Sequence, residues 1–526
     1  MIAAYSEVVS FVQFLAPTWR KPQHTNFAQL VCALLERGSL VISDLARAMP
    51  LYTQTLHGRL KRIDRFLDNP RLDESLLFLQ LLRLAYRFGD DLPPASDGRP
   101  ILPLLLDTVY FEPFALLVFT VPCGSRGLPV ALTTYHRYQL EACFPPTATW
   151  PSPLELPPPP GRGRRVNVPS STIVRYDSQN QIEGTLITYM LHLASPALCA
   201  VIVADRGFAR AALFLDFNQR QQPYVIRFDA ETHIRVPQPL APGLPTEGLP
   251  KGVLGLRPGQ RVWCPLAYYT KEDQVPIRLF AVWDPDQKDP WYIATNLDTP
   301  EQTERLYRWR MRLECANRDE KTGVILREGG DEHALTSLLH LHRLLLAVCT
   351  AEWLCALVGL QAWRDLPEQF QTLQSPERHS AHPSPEWAPL PAPGLPPPLP
   401  VPQPTILPEP TRSASPVSTS TACPPRLPYP EWASDPTVWD LGPSAPPPVL
   451  PHRGPTPKLP AWLRLFAARG WLSYVRLGKE IIFSVHFHQI LHRMVRWLAS
   501  YLWPREPAWR PWQLRYRIRH WWFDSS

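Results

Sequence analysis

Proline decides how much of this chain can belong to a compact fold. The 526 residues include 65 prolines, and 27 of these fall between Pro383 and Pro460. Proline fixes φ and carries no N–H, so it neither continues a helix nor pairs inside a sheet. Residues 366–460 therefore read as a linker that cannot bury a core and is extended or disordered. Folding is left to residues 1–365. Beyond the linker, residues 461–526 hold eleven Lys or Arg against three acids and eight of the nineteen tryptophans. Such interleaving suits a nucleic-acid backbone or a membrane surface, by stacking and by charge.

Within the folding part, residues 1–95 carry helical patterns: TNFAQLVCALLERG, SDLARAMP, LYTQTLHGRLKRIDRFLDN and LDESLLFLQLLRLAYRFG. Ser43 or Asp44 can cap the second pattern and Pro50 closes it, which gives two short helices with a tight break, as in a helix-turn-helix. Thr53, Thr55, His57, Arg59, Lys61, Arg62 and Arg65 then offer hydroxyls and cations to a DNA backbone or groove. An ordinary helical bundle with a basic surface fits the same pattern.

From Ile101 the period changes. ILPLLLDTVYF reads as a buried strand with one acid, Asp107, among apolar neighbours, a placement that is costly unless the carboxylate is paired or bound to a metal. ALLVFTVPC and LPVALTTYHR continue as two further strands of a meander. A proline-rich loop from Pro145 to Pro169, bearing Arg162, Arg164 and Arg165, reads as a surface insertion. A helix over 179–193 leads to the strand CAVIVA, with Asp205 at its C-terminal end, where ligands of open α/β sheets collect. Such an aspartate can equally cap the turn that follows. YVIRF, RVWCPLAYY, PIRLFAVWD and WYIATNL are further strand-like pieces. His340 and His342 are two residues apart on a helix and point in different directions, so they do not share a metal. The nine cysteines form no Cys-x2-Cys pair and read as reduced thiols. The apolar run 344–360 contains Glu352 and reads as a buried helix.

Residues 307–321, YRWRMRLECANRDEK, are dominated by helix formers. At about 100° per residue, Tyr307, Arg310, Glu314 and Lys321 fall at roughly 0°, 300°, 340° and 320°, one narrow stripe. A phenol, a guanidinium, a carboxylate and an ammonium aligned in this way suit a metal ion and phosphates. A solvated face of helical ion pairs is the other reading.

The spacing Tyr-x2-Arg-x3-Glu-x6-Lys resembles the signature of the insertion-sequence-four family of DDE transposases, which have a ribonuclease-H-like catalytic core. The resemblance spans roughly residues 30–365. Asp107, followed by its meander, matches the family's first catalytic aspartate. Asp205, in Asp-Arg-Gly-Phe, resembles the second motif, and Glu314 supplies the third acid. The strand-like pieces after YVIRF resemble the family's β-rich insertion. In that insertion Trp291 corresponds to an aromatic that assists a flipped base in hairpin-forming relatives.

The resemblance implies an α/β fold: a ribonuclease-H-like mixed sheet with helices on both faces, interrupted by the β-rich insertion and preceded by a helical N-terminal domain. The expected divisions are a DNA-binding domain at 1–95, core at 96–225, insertion at 226–300, the last core helices at 301–365, the linker at 366–460 and the tail at 461–526. The implied activity is metal-dependent DNA strand cleavage and strand transfer. Asp107, Asp205 and Glu314 would be both catalytic residues and ligands to two Mg2+ ions, with Mn2+ able to substitute. Tyr307, Arg310, Lys321, Trp291, Arg59, Lys61 and Arg62 would contact DNA. The expected partners are double-stranded transposon ends and target DNA, with a homodimer in the synaptic complex, no small-molecule cofactor and no membrane. The expected location is the cytoplasm, on the nucleoid. A catalytically inactive DNA-binding relic, or a repressor of its own element, is the alternative.

Overall fold

The computed structural model describes residues 5–50, 55–69, 71–88, 94–123, 126–145, 172–285, 287–321 and 337–364, without the side chains of 87, 88, 111, 126, 311–321 and 361–364. The arginines of the 145–169 loop, the proline-rich linker and the basic tail lie outside these residues.

The chain is a mixed α/β protein built on a sheet of twelve strands. They are β1 (Ile101–Phe111), β2 (Phe114–Cys123), β3 (Arg126–His136), β4 (Glu141–Phe144), β5 (Thr172–Arg175), β6 (Cys199–Ala204), β7 (Tyr224–Phe228), β8 (Ile234–Arg235), β9 (Glu247–Gly248), β10 (Arg261–Tyr269), β11 (Val275–Val282) and β12 (Trp291–Thr295). Their order across the sheet is β5-β4-β3-β2-β1-β6-β7-β12-β11-β10-β8-β9. β1, β6 and β7 are parallel to one another, and every other pairing is antiparallel. The β-rich segment after β7 does not form a sheet of its own. β12 pairs with β7, so β10 to β12 continue the central sheet.

The central strands of the sheet are buried on both faces, and the alternation of side chains along them shows which residues face which layer. On β6, Cys199, Val201 and Val203 enter one core with Leu105, Val225, Phe280 and Ile293. Ile202 and Ala204 enter the other, with Leu104, Leu106 and Ile226. The first face is covered by α9 (Pro300–Lys321), whose Leu306 and Tyr307 complete that core. α9 crosses the sheet, meeting β11, β7, β6, β1, β2 and β3.

The opposite face is covered by a helical layer. α1 (Tyr5–Leu15), α2 (Lys21–Arg37), α3 (Ile42–Ala48), α4 (Leu56–Leu67) and α5 (Ser75–Phe88) assemble around α10 (Leu338–Arg364). α5, α6 (Gln179–Leu193) and α10 all rest on β3. α7 (Ala211–Gln219) and α8 (Pro250–Leu254) complete the helices. Among the described residues one helix, 338–360 within α10, is long and apolar enough to cross a membrane, and 94% of its apolar window is buried inside the protein. It is the hub of the helical layer. Two of its polar residues find partners there: His340 Nε2 lies 2.6 Å from Asp68 Oδ1, and Arg343 Nε donates to Glu74 Oε1 at 3.3 Å. His342 Nε2 is 3.3 Å from Glu74 Oε2, and Arg343 also donates to the Leu67 carbonyl. Burying Arg343 and Glu74 together avoids the large cost of burying either charge alone.

The tight break expected near Ser43 takes a different form. Val41 is the N-cap of α3, and Asp44 sits inside the first turn, paired with Arg47 at 2.6 Å. Ser39 Oγ accepts from the Val41 N–H at 3.1 Å, so the turn is organised two residues earlier than the sequence pattern suggests.

Candidate active site

The last registered pair between β1 and β6 is Leu106 with Ala204. Asp107 and Asp205 are the next residues on the two strands, side by side at the C-terminal ends of a parallel pair, where adjacent strands lie about 4.8 Å apart. Each follows by two a residue of the α9-covered core, Leu105 and Val203, so both lie on the face that α9 crosses. Both are half-buried. This placement follows from the sequence: apolar runs bury β6 and the first half of β1, and the two acids sit where the pairing between these strands stops, while β1 continues to Phe111 against β2.

Asp205 does two jobs in the protein itself. Its Oδ1 accepts the Gly207 N–H at 3.3 Å, capping the short 3-10 turn Arg206–Phe208. Its Oδ2 accepts from the guanidinium of Arg310, whose side chain is only 11% exposed. Asp107 Oδ1 accepts the N–H of Thr108 at 2.9 Å.

A third charged residue belongs to this row. Ala204 pairs with Ile226, which sets Arg227 of β7 beside Asp205 on the same face. Arg227 is half-buried and interacts with the Tyr307 phenol. Sequence reading passed over it. The available signal was the same as for Asp107, a lone charge in an otherwise apolar strand.

Tyr307 and Arg310, the first two residues of the polar stripe of α9, face the protein. Tyr307 is 1% exposed, with its ring edge-on to Trp291 at 5.1 Å between centroids. The Arg310 guanidinium carbon lies 6.0 Å from the Tyr307 ring centre. Burial raises the Tyr307 pKa, while Arg310 and Arg227 oppose that shift. A solvated face is therefore excluded for Tyr307 and Arg310. Tyr307 also lacks the exposure that direct hydrogen bonding to DNA requires, so its described role is to support Arg310 and Trp291 from below. Glu314 and Lys321 lie further along α9, with Glu314 one turn past Arg310, and their side chains are outside the described set.

Trp291 is half-buried and braced on two sides, by Tyr307 and by Arg308, whose guanidinium carbon lies 5.5 Å from the indole centre. Arg308 is in turn held by Glu304 at 2.7 Å and Asp284 at 2.9 Å, and Arg261 of β10 reaches the same Glu304 at 3.1 Å. These four charges tie α9 to the far part of the sheet.

Arg59, Lys61 and Arg62 do not join this cluster. They sit on α4, in the helical layer on the other side of the sheet. Arg59 donates to the carbonyls of Ala46 and Arg47 at 3.4 and 3.3 Å, satisfying the end of α3, where a cation is favoured. Arg62 reaches Gln29 Oε1 at 3.5 Å, and Lys61 is exposed.

Two adjacent carboxylates provide the hard oxygen donors that Mg2+ prefers, and Arg310 on Asp205 shows that this strand end accommodates positive charge. Among the described residues no three metal-ligating side chains come together, and the third expected carboxylate, Glu314, falls outside them. No protein-family model matches the chain, and no curated protein matches it.

Proposed function

We propose that the chain is a transposase that cleaves and transfers DNA strands with Asp107, Asp205 and Glu314. The observation that carries this reading is the adjacent register of Asp107 and Asp205 where the parallel pairing of β1 and β6 ends, beneath the helix that bears Arg310 and Glu314. The order β3-β2-β1-β6-β7 supports a ribonuclease-H-like core, because an antiparallel meander leads into parallel strands with an acid on the first and on the next. The Tyr-x2-Arg-x3-Glu-x6-Lys spacing supports the same reading.

Asp107, Asp205 and Glu314 would hold Mg2+, which when bound supplies Lewis-acid activation of water or a DNA 3′-hydroxyl and stabilises the leaving oxygen. The protein's own residues bind and orient the strand. Arg310 and Arg227 flank Asp205 with guanidiniums suited to phosphate oxygens. Tyr307 fixes Arg310 by packing beneath it. Lys61 and its neighbours on α4 are too far round the protein to serve the reacting phosphate, and serve the flanking duplex instead. No side chain forms a covalent bond to DNA.

The test is Mg2+-dependent cleavage of a duplex carrying the DNA that flanks the gene, comparing wild type with Glu314→Gln. The expected result is cutting at a defined end by wild type and none by the variant, with duplex binding retained by both. If both bind and neither cuts, the chain is instead a DNA-binding relic or repressor.

A further inference from the structure

The two most exposed large hydrophobic side chains among the described residues are Tyr138, at 72%, and Tyr110, at 54%. They lie together, on either side of one arginine. The Arg137 guanidinium carbon is 4.6 Å from the Tyr110 ring centre and 5.9 Å from that of Tyr138. Tyr110 ends β1 near its turn with β2, and Tyr138 follows β3, so the group forms the tip of the meander.

The group is rigidly held. Arg137 pairs with Glu112, and the Tyr138 hydroxyl donates to the other Glu112 oxygen at 3.1 Å. His136 Nδ1 accepts the Tyr138 N–H at 3.3 Å and the Gln139 N–H at 3.2 Å. The Arg137 N–H donates to the Pro113 carbonyl at 3.1 Å. Single exposed apolar residues need no explanation, but two tyrosines held by one cation, one of them also by a carboxylate, present two exposed rings at one place.

We infer that Tyr110, Arg137 and Tyr138 form a stacking platform for unpaired DNA bases, an inference that rests on the proposed action on DNA. Three features select this occupant over a protein surface. The exposed groups are aromatic rings fixed in orientation, which suits stacking on a planar partner. Glu112 neutralises Arg137, so the platform contributes little through charge and tolerates any base. Tyr110 also lies three residues beyond Asp107 on the same strand, about 10 Å along β1. Tyr110 alternates to the opposite face of β1 from Asp107, so the strand it receives has passed over the meander tip and left the reacting phosphate.

The test uses the full-length protein and a fluorescein-labelled oligothymidylate 20-mer without Mg2+, measured across a salt series. Replacing both tyrosines by alanine is expected to weaken single-strand binding by about 10-fold or more, with the salt slope unchanged because no phosphate contact is lost. Tyr110→Phe with Tyr138→Phe keeps the rings and is expected to bind within about threefold of wild type. Blunt duplex binding should change little in either variant.

No binding of the single strand by wild type, equal affinity of the alanine variant, or an equal loss in the phenylalanine variant would each overturn the platform. So would concentration-dependent self-association that disappears in the alanine variant while DNA affinity stays constant, since the surface would then join two copies. Duplex cleavage, compared between wild type and Glu314→Gln, is read separately. Loss of stacking without any cleavage activity removes the transposase reading and keeps the platform, and cleavage with unaltered stacking does the reverse.

Discussion

Arg310 meets Asp205 across 105 residues of sequence, and this contact brings the end of β6 under α9. The pair is partly buried, with the Asp205 side chain 34% exposed, so its effect on folding is modest. Arg310→Ala is expected to lower stability by about 1 kcal/mol and to reduce DNA cleavage by about 100-fold or more. A denaturant midpoint measured beside the cleavage rate separates the two effects.

Tyr307 is a packing residue, and the size of its replacement should matter more than its hydroxyl. Tyr307→Ala is expected to cost about 3–5 kcal/mol and Tyr307→Phe about 1 kcal/mol. Urea unfolding of both variants checks this. A phenylalanine variant as unstable as the alanine one would mean that the phenol, through Arg227, carries the site.

The buried tyrosines give an alkaline limit. Burial pushes Tyr292 up to about 12 and also raises Tyr307. A raised pKa favours the neutral phenol in the folded state. The stability it contributes is complete below the unfolded value of about 10 and is lost as pH rises through the folded values. Melting temperature should therefore hold up to about pH 10 and then fall. Tyrosinate absorbance should rise together with the loss of structure.

Glu74 is 1% exposed and serves both His342 and Arg343. Removing the carboxylate leaves the buried Arg343 guanidinium without its counter-charge, so Glu74→Ala is expected to destabilise by about 3–5 kcal/mol. Scanning calorimetry would show a loss of several degrees. An unchanged transition would mean that the helical layer is held by apolar packing alone.

Glu304 links Arg261 and Arg308, and so links β10 to α9. Glu304→Gln is expected to cost about 1–2 kcal/mol and to lower the cleavage rate with little change in DNA affinity. The informative measurement is the rate under saturating DNA. A fall in affinity with an unchanged rate would assign the network to binding.

Several elements were legible because their local signals agreed. CAVIVA and YVIRF occupy β6 and β7 residue for residue, as expected of β-rich apolar runs bounded by breaks. The helix over 179–193 was equally clear, with Ser178 as its cap. Helical spacing also placed Tyr307 and Arg310 on one stripe, but spacing alone cannot say which way a stripe faces. The burial of Tyr307 supplies that direction. β4 and β5, four residues each, carry too little pattern to announce themselves. Nor did the sequence indicate that β12 would pair with β7, because long-range partners leave no local trace. Arg227 does carry a local signal, a lone charge in an apolar strand, but the register that sets it beside Asp205 is a long-range pairing.

The position of α10 also sets the order in which the protein can be completed during synthesis. The first five helices leave the ribosome early, yet the surface they share is closed by a helix that begins only at Leu338. Until that helix emerges, a large apolar area of the nascent chain stays open to solvent and to chaperones. Any fragment that stops after α9 keeps the expected acids but loses the helix that joins its two layers, and such a product should aggregate rather than act as a smaller functional protein.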